Sequence, residues 1–271
     1  MKQDIYRRIA KRWPIKTVLR RYYGQTVFLP RASYSDIALR CLGEYEPDNC
    51  KILVQLALPK TMMLDVGTNF GLTSIPVLVN CPEVKVLSFE PSPIALKFLR
   101  RTMRNVSFKD RWELIEQCAG AEVGATEFTL SEETTAEFDG IRHTKRVQSH
   151  EMRQVPMTTI DAEWKRRAYP EVSVIKCDVE GAEIAVLHGA VECINRTRPY
   201  ILMEWNRINI QAYNFTSSDL IGVVEQFDYE IYALPGMIRV ANCVEVDLQA
   251  LVTESLLLAP RKRPPVSQRA Q

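Results

Sequence analysis

The segment Met62-Met63-Leu64-Asp65-Val66-Gly67-Thr68-Asn69-Phe70-Gly71 constrains the fold of this chain more than any other. A β-rich apolar run, Thr61 to Gly67, stops at two glycines four apart, and a helical pattern from Phe70 to Asn80 follows at once. Glycines at a strand-to-helix turn adopt φ angles that other residues avoid. They let the backbone approach a ligand and leave free N–H groups at the helix N-terminus. In an open parallel sheet such a turn lies at the carboxyl edge, where ligands bind.

The chain repeats this alternation. Lys85 to Glu90 reads as the next strand, and Ser92 with Pro93 opens a helix as N-cap and first-turn residue. Ile94, Phe98, Leu99 and Met103 line one side of that helix; Lys97, Arg100, Arg101 and Arg104 form its solvent side. Trp112–Ala119, Ala125–Leu130, Met152–Thr159, Val172–Asp178, Tyr200–Trp205, Tyr229–Leu234 and Ser255–Ala259 read as further strands. Asp161–Arg167, Gly181–Asn195 and Ser217–Phe227 read as helices. This pattern predicts a parallel sheet with helices on both faces. Residues 131–151 are polar, lack a period and form a candidate lid.

Of the 271 residues 46% are hydrophobic and 25% charged, which excludes wholesale disorder and collagen. No apolar run approaches a membrane span; the best, Ile52 to Pro59, reads as a buried helix or strand. The seven cysteines form no metal-binding pattern and read as reduced thiols of a cytoplasmic protein. The sequons at Asn105, Asn195 and Asn214 read as accidental.

The net charge of +2 hides an asymmetry, because the first 30 residues carry eight basic side chains against one acidic and residues 261–271 carry four against none. Residues 31–260 hold 23 basic against 32 acidic side chains. An acidic body argues against a nucleic-acid partner. The basic N-terminus, with Ile5, Ile9, Trp13 and Val18 as an apolar side, reads as a solvated helix packed on the domain or as a peripheral membrane contact.

Neither Gly-x-Gly-x-x-Gly nor Gly-x-x-x-x-Gly-Lys-Ser/Thr occurs, so dinucleotide and nucleoside triphosphate sites lack their fingerprints. Two carboxylates stand at strand ends instead. Glu90 can accept both hydroxyls of a ribose, and Asp65 can orient a cationic amine. A ligand with a ribose, a positive charge and no phosphate is S-adenosylmethionine.

Asp65-Val-Gly-Thr-Asn-Phe-Gly71, then Phe89-Glu90-Pro91, then Val174-Ile-Lys-Cys-Asp178-Val-Glu180-Gly-Ala-Glu183, in that order and at those separations, resembles the FkbM family of class I S-adenosylmethionine-dependent methyltransferases. The resemblance covers residues 60–205 and departs from the usual motif at Thr68, where Ala is usual. It implies a Rossmann-like α/β fold with a seven-stranded, mostly parallel sheet whose last pair is antiparallel. The resulting division is an N-terminal helical cap (1–58), a methyltransferase domain (59–260) and a disordered basic tail (261–271). It implies that Asp65, Gly67, Thr68, Asn69 and Gly71 surround the methionine moiety, that Glu90 takes the ribose, and that Cys118, Ala119 and Gly120 border the adenine. Asp178 then faces the sulfonium and the acceptor. The family's chemistry implies O-methylation of a small metabolite, sugar, glycan or polyketide, with N-methylation or a non-catalytic cofactor-binding module as alternatives.

An alcohol acceptor benefits from a base as it attacks, and Asp178, Glu180 and Glu204, at neighbouring strand ends, are the candidates. Lys176 falls on the same side of its strand as Asp178. Asp178 and Glu204, with Asn206, make a sparse oxygen set for a divalent metal, so the carboxylate base is the preferred reading. Glu180 also reads as a cap for the helix that follows, and Glu183 as structural. His143 and His150 in the lid, with Asn206 and Arg207, are candidate substrate contacts. Trp205 shares that location, and Tyr34 and Asp36 read as closing the cofactor from the N-terminal side. His188 reads as a packed or surface residue. No oligomeric state follows from the sequence.

Overall fold

The structure, a computed structural model, describes residues 17–131, 139–141 and 151–262. Its centre is a parallel run of β3 (Met62–Val66), β4 (Lys85–Phe89), β5 (Trp112–Ile115), β9 (Val172–Cys177) and β10 (Tyr200–Glu204). β5, β4, β3, β9 and β10 lie side by side in that order. β13 (Ser255–Pro260) follows antiparallel to β10, and β11 (Tyr229–Ala233) pairs antiparallel with β13 on its far side. The seven expected strands are therefore present, and β12 (Ile238–Val240) adds an eighth at the edge. This is the strand order of a class I methyltransferase. The chain leaves β3 toward β4 in one direction and returns to β9 in the other, so the switch point lies between the carboxyl ends of β3 and β9.

Every residue of β3 and β9 is buried, Asp65 and Lys176 included. Strands covered on both faces read as continuous apolar runs rather than alternating ones, which explains their legibility. α3 (Ser74–Asn80) starts later than Phe70 because the glycine loop continues to Thr73. α4 (Pro93–Arg104) is capped as expected: the Ser92 hydroxyl accepts from the Ala95 N–H at 3.3 Å, and Leu96, Phe98 and Leu99 are buried. Each such side chain contributes about 1.5–3 kcal/mol when fully buried. Arg100 on the outer side pairs with Glu116.

Several elements depart from expectation. Residues 17–30 form a hairpin, β1 (Thr17–Tyr22) and β2 (Gln25–Pro30), where a helical cap was expected. Its two-residue turn, Tyr23 and Gly24, has φ +45° and +74°, the conformation that matches strand twist. Val18 is buried in β1 and forms no part of a membrane-facing helix; Ile5, Ile9 and Trp13 lie outside the described residues. β2 rests on α4, with the Phe28 N–H donating to Thr102 Oγ1 at 3.0 Å. Two helices follow, α1 (Tyr34–Cys41) and α2 (Pro47–Leu56), the second taking up most of the Ile52–Pro59 run.

The Trp112–Ala119 run divides: Cys118–Ala119, β6, leaves the main sheet and joins β7 (Gly124–Leu130) and β8 (Glu151–Thr158) in a small separate sheet. After α5 (Ile160–Arg166), the expected Gly181–Asn195 helix is two, α6 (Glu183–His188) and α7 (Val191–Thr197). The break falls at Gly189, where a Cβ would lie 2.0 Å from the Gly120 carbonyl oxygen. α8 (Arg207–Gln211), α9 (Ser217–Gln226) and α10 (Cys243–Gln249) complete the fold. All seven cysteines are free. Among the described residues no helix is long and apolar enough to cross a membrane. His143, His150 and residues 263–271 lie outside the described residues.

Candidate active site

A cavity of about 440 Å³ opens at the switch point. Its floor is the loop after β3. Gly67 has φ +76°, and a Cβ there would lie 1.8 Å from the Asp178 carbonyl oxygen, so only glycine lets the two loops close this tightly. Gly71 (φ +80°) serves packing rather than the cavity, because a Cβ would lie 2.5 Å from the Trp112 ring.

Asp65 does not face the cavity, contrary to expectation. It is fully buried beneath the loop, where its Oδ2 accepts from the hydroxyls of Thr68 (2.7 Å), Thr73 (3.1 Å) and Ser74 (2.5 Å). Strand parity sets this direction: Asp65 pairs in register with Lys176 on β9, and the Lys176 Nζ stands 4.0 Å from Asp65 Oδ1. Asp65 holds the loop's shape. Thr68 lines the cavity, while its hydroxyl belongs to the Asp65 network.

Glu90 does border the cavity. Its Oε2 accepts from the Asn69 N–H and its Oε1 from the Ser92 N–H, both at 2.8 Å. Burial pushes its carboxyl up to about 8, against the pull of the two N–H groups, which favour the charged form. Each oxygen retains a further lone pair for ligand hydroxyls. Asn69, at φ +50°, lines the cavity beside it. Cys118 and Ala119 border this end; Gly120 does not, its Cβ position being taken by Met157. Burial raises the Cys118 thiol well above its ordinary range, so it is an apolar wall rather than a nucleophile. Phe128, Asp139 and Ile141 close the same end. Asp139 ties the small sheet to α4, accepting from Ser92 Oγ (2.7 Å) and from the Ser131 N–H (2.7 Å) and hydroxyl (2.6 Å).

Asp178, Glu180 and Glu204 come together at the opposite end, with one oxygen of each within 4.8 Å of the others. Asp178 Oδ2 is 3.0 Å from Lys176 Nζ. Burial opposes the charge on Lys176, but the carboxylates of Asp178, Asp65 and Glu46 outweigh it and hold the ammonium above its ordinary range. Glu180 (φ +57°) and Glu204 share the amide of Asn209, at 2.7 and 3.2 Å. Glu180 is therefore not the cap of α6. No side chain caps α6; Glu183, its first residue, instead holds the loop before it, its Oε1 accepting from the N–H groups of Val179 (3.0 Å) and Gly181 (3.2 Å).

The remaining candidates fall elsewhere. Asn206 does not line the cavity: it caps α8, accepting from the N–H groups of Ile208 (2.9 Å) and Asn209 (3.2 Å), and its amide donates to Glu254. Arg207 and His188 are exposed, and Trp205 is buried in the core. Tyr34 lines the cavity, whereas Asp36 is buried against Arg20 and the Ala32 N–H. Sequence reasoning missed Tyr45, Glu46, Asn49, Asn209 and Glu254. Pro47, a residue that suits a first helical turn, was the one available signal, marking a helix start beside Glu46.

The family model described as Methyltransferase FkbM domain matches residues 65–231, more than half of the chain. The chain belongs to the FkbM methyltransferase family. The matched stretch runs from β3 to β11 and includes the glycine loop, Glu90 and the three clustered carboxylates. Within the same chemistry, the methyltransferase sdnD of Sordaria araneosa is 25% identical over 174 residues, 54% of this chain and 66% of its own length. The ribosomal RNA small subunit methyltransferase G of Mycolicibacterium vanbaalenii is 29% identical over 86 residues, 31% of this chain and 38% of its own. A crystal structure of an FkbM methyltransferase from Methylobacillus flagellatus KT aligns with a TM-score of 0.45 at 17% identity, covering 89% of this chain and 48% of that one. The chain thus spans just under two thirds of the Sordaria protein and about half of the Methylobacillus protein.

S-adenosylmethionine, the methyl donor this family implies, suits these residues by two features of the site. The missing Cβ at Gly67 leaves the backbone of the floor open to a ligand, and Glu90 offers two oxygens already fixed by backbone N–H groups.

Proposed function

We propose that this protein transfers a methyl group from S-adenosylmethionine to a hydroxyl of a small metabolite, sugar, glycan or polyketide. The observation that carries the reading is Glu90, a carboxylate 4% exposed, bordering the cavity at the end of β4 and held by two backbone N–H groups. Glu90 would take the ribose hydroxyls, the Gly67–Asn69 backbone the methionine moiety, and Cys118 and Ala119 the adenine edge. The bound donor supplies an electrophilic methyl on a sulfonium, a good leaving group. The chain's own part is then chiefly positioning: it fixes the acceptor oxygen in line with that methyl and excludes water. Asp178, Glu180 and Glu204 bind and orient the acceptor, their charges steadied by Lys176 and Asn209.

The same carboxylates favour a second reading, transfer to an amine, because an acidic acceptor end also attracts an ammonium. Methyl-transfer assays over hydroxylated and amine acceptors of otherwise equal shape separate the two. Chelator treatment in that assay leaves the rate unchanged if the carboxylates act without a divalent ion. Calorimetry with S-adenosylmethionine and S-adenosylhomocysteine tests the cofactor site itself: both bind, and Glu90→Ala lowers both affinities by at least tenfold, as expected when a charged hydrogen-bond acceptor worth about 1.5–3 kcal/mol is removed. Unchanged affinity would remove the reading.

A further inference from the structure

One acceptor-side carboxylate, Glu46, comes from the N-terminal segment rather than from the central sheet. It stands at the N-cap position of α2, yet its side chain caps nothing, and its backbone is left-handed at φ +42° and ψ +57°. A bulky residue in that region costs about 1–3 kcal/mol, and such strain gathers at functional sites. The side chain instead lines the cavity. Asn49 Nδ2 donates to Glu46 Oε2 (3.2 Å) and to Ser255 Oγ (3.1 Å), and Ser255 is the register partner of Glu204. Glu46 is thereby anchored over the β10–β13 boundary, at the acceptor end and away from Glu90.

We propose that Glu46 is the catalytic base, supplied by the N-terminal segment rather than by the sheet edge. This rests on the methyl-transfer reading above. As the acceptor oxygen forms its bond to the methyl carbon, the carbon–sulfur bond breaks with its electron pair going to sulfur. The hydroxyl proton passes to the Glu46 carboxylate and from there to water. The other carboxylates are tied into the site by their partners: Asp178 is ion-paired with Lys176, Glu180 and Glu204 are joined through the Asn209 amide, and Glu254 takes the Asn206 amide, whereas the hydrogen bonds to Glu46 come from neutral groups of its own segment, Asn49 and Tyr45. The groups around Glu46 are Tyr45, Asn49 and Cys50 from its own segment, Tyr22 from β1, Lys176 from β9 with Asp178 just past its end, and Glu204 and Glu254 lining the same cavity. Burial raises its carboxyl; Lys176 opposes that rise, Asp178 adds to it, and hydrogen bonds from Asn49 and Tyr45 oppose it. A base with raised proton affinity is better matched to neutral pH.

The test uses two probes, S-adenosylhomocysteine and sinefungin, which carries an amine in place of the methylated sulfonium. A carboxylate facing the reacting methyl attracts that amine. In calorimetry at pH 8 the wild type prefers sinefungin. Glu46→Gln lowers sinefungin affinity on the order of tenfold, the size of one charged hydrogen bond, and leaves S-adenosylhomocysteine affinity within about twofold. The wild-type preference fades on acidification with a midpoint above the ordinary carboxylate range. An unchanged preference in Glu46→Gln, or one lost only in Asp178→Asn, overturns the assignment. If neither probe binds the wild type, the methyl-donor reading itself has failed, and Glu46 falls with it.

Discussion

The Lys176 ammonium bridges two carboxylates, lying 3.0 Å from Asp178 and 4.0 Å from Asp65, so one buried cation couples the acceptor end of the cavity to the loop beneath its floor. Removing one partner of a buried ionic group leaves the other uncompensated, which typically costs about 3–5 kcal/mol. Lys176→Met is therefore expected to lower unfolding stability by about that amount at neutral pH. Urea unfolding at neutral pH measures the loss, and unchanged stability would contradict the coupling.

Glu90 gives a stability effect of opposite sign. Its folded carboxyl sits at about 8 against 4.5 ordinarily, so between those values the folded protein binds a proton that the unfolded chain has released. Stability attributable to this group therefore falls as pH rises through that window. The melting temperature of Glu90→Gln should rise relative to wild type from about pH 5 to about pH 8, even as its cofactor affinity drops. Binding of S-adenosylhomocysteine to wild type at neutral pH should release protons, because ribose hydroxyls favour the ionised carboxylate. Buffer-dependent binding heats read that release directly.

Two glycines with nearly the same backbone angle separate strain from collision. Gly43 has φ +74° and open space where a Cβ would stand, whereas Gly67 has φ +76° and a carbonyl oxygen 1.8 Å from that position. Gly43→Ala should cost only the left-handed penalty, about 1–2 kcal/mol. Gly67→Ala should cost distinctly more and also weaken S-adenosylhomocysteine binding. Equal losses in the two variants, read by urea unfolding, would argue against close contact between the two loops.

Asp65→Asn distinguishes a loop organiser from a ligand contact. Its Oδ2 receives three hydroxyls, so the variant should lower the melting temperature markedly. Its effect on S-adenosylhomocysteine affinity should be smaller than that of Glu90→Ala. The reverse ranking would return Asp65 to the cofactor.

The sequence by itself determined the parallel sheet, the glycine loop after β3, Glu90 at the next strand end and the carboxylates after β9. These follow from local chemistry: doubly buried strands are continuous apolar runs, and a tight strand-to-helix turn requires glycine. Tertiary structure alone decided which way those carboxylates face. Asp65 turned from the cavity because hydroxyls three to nine residues downstream meet it beneath the loop. Asn206 was taken by a helix start, and the hairpin at 17–30 rests on α4, far along the chain. Glu46 joined the site only because α2 docks over strands more than 100 residues away, a contact that no local pattern encodes and that packing of the whole core enforces.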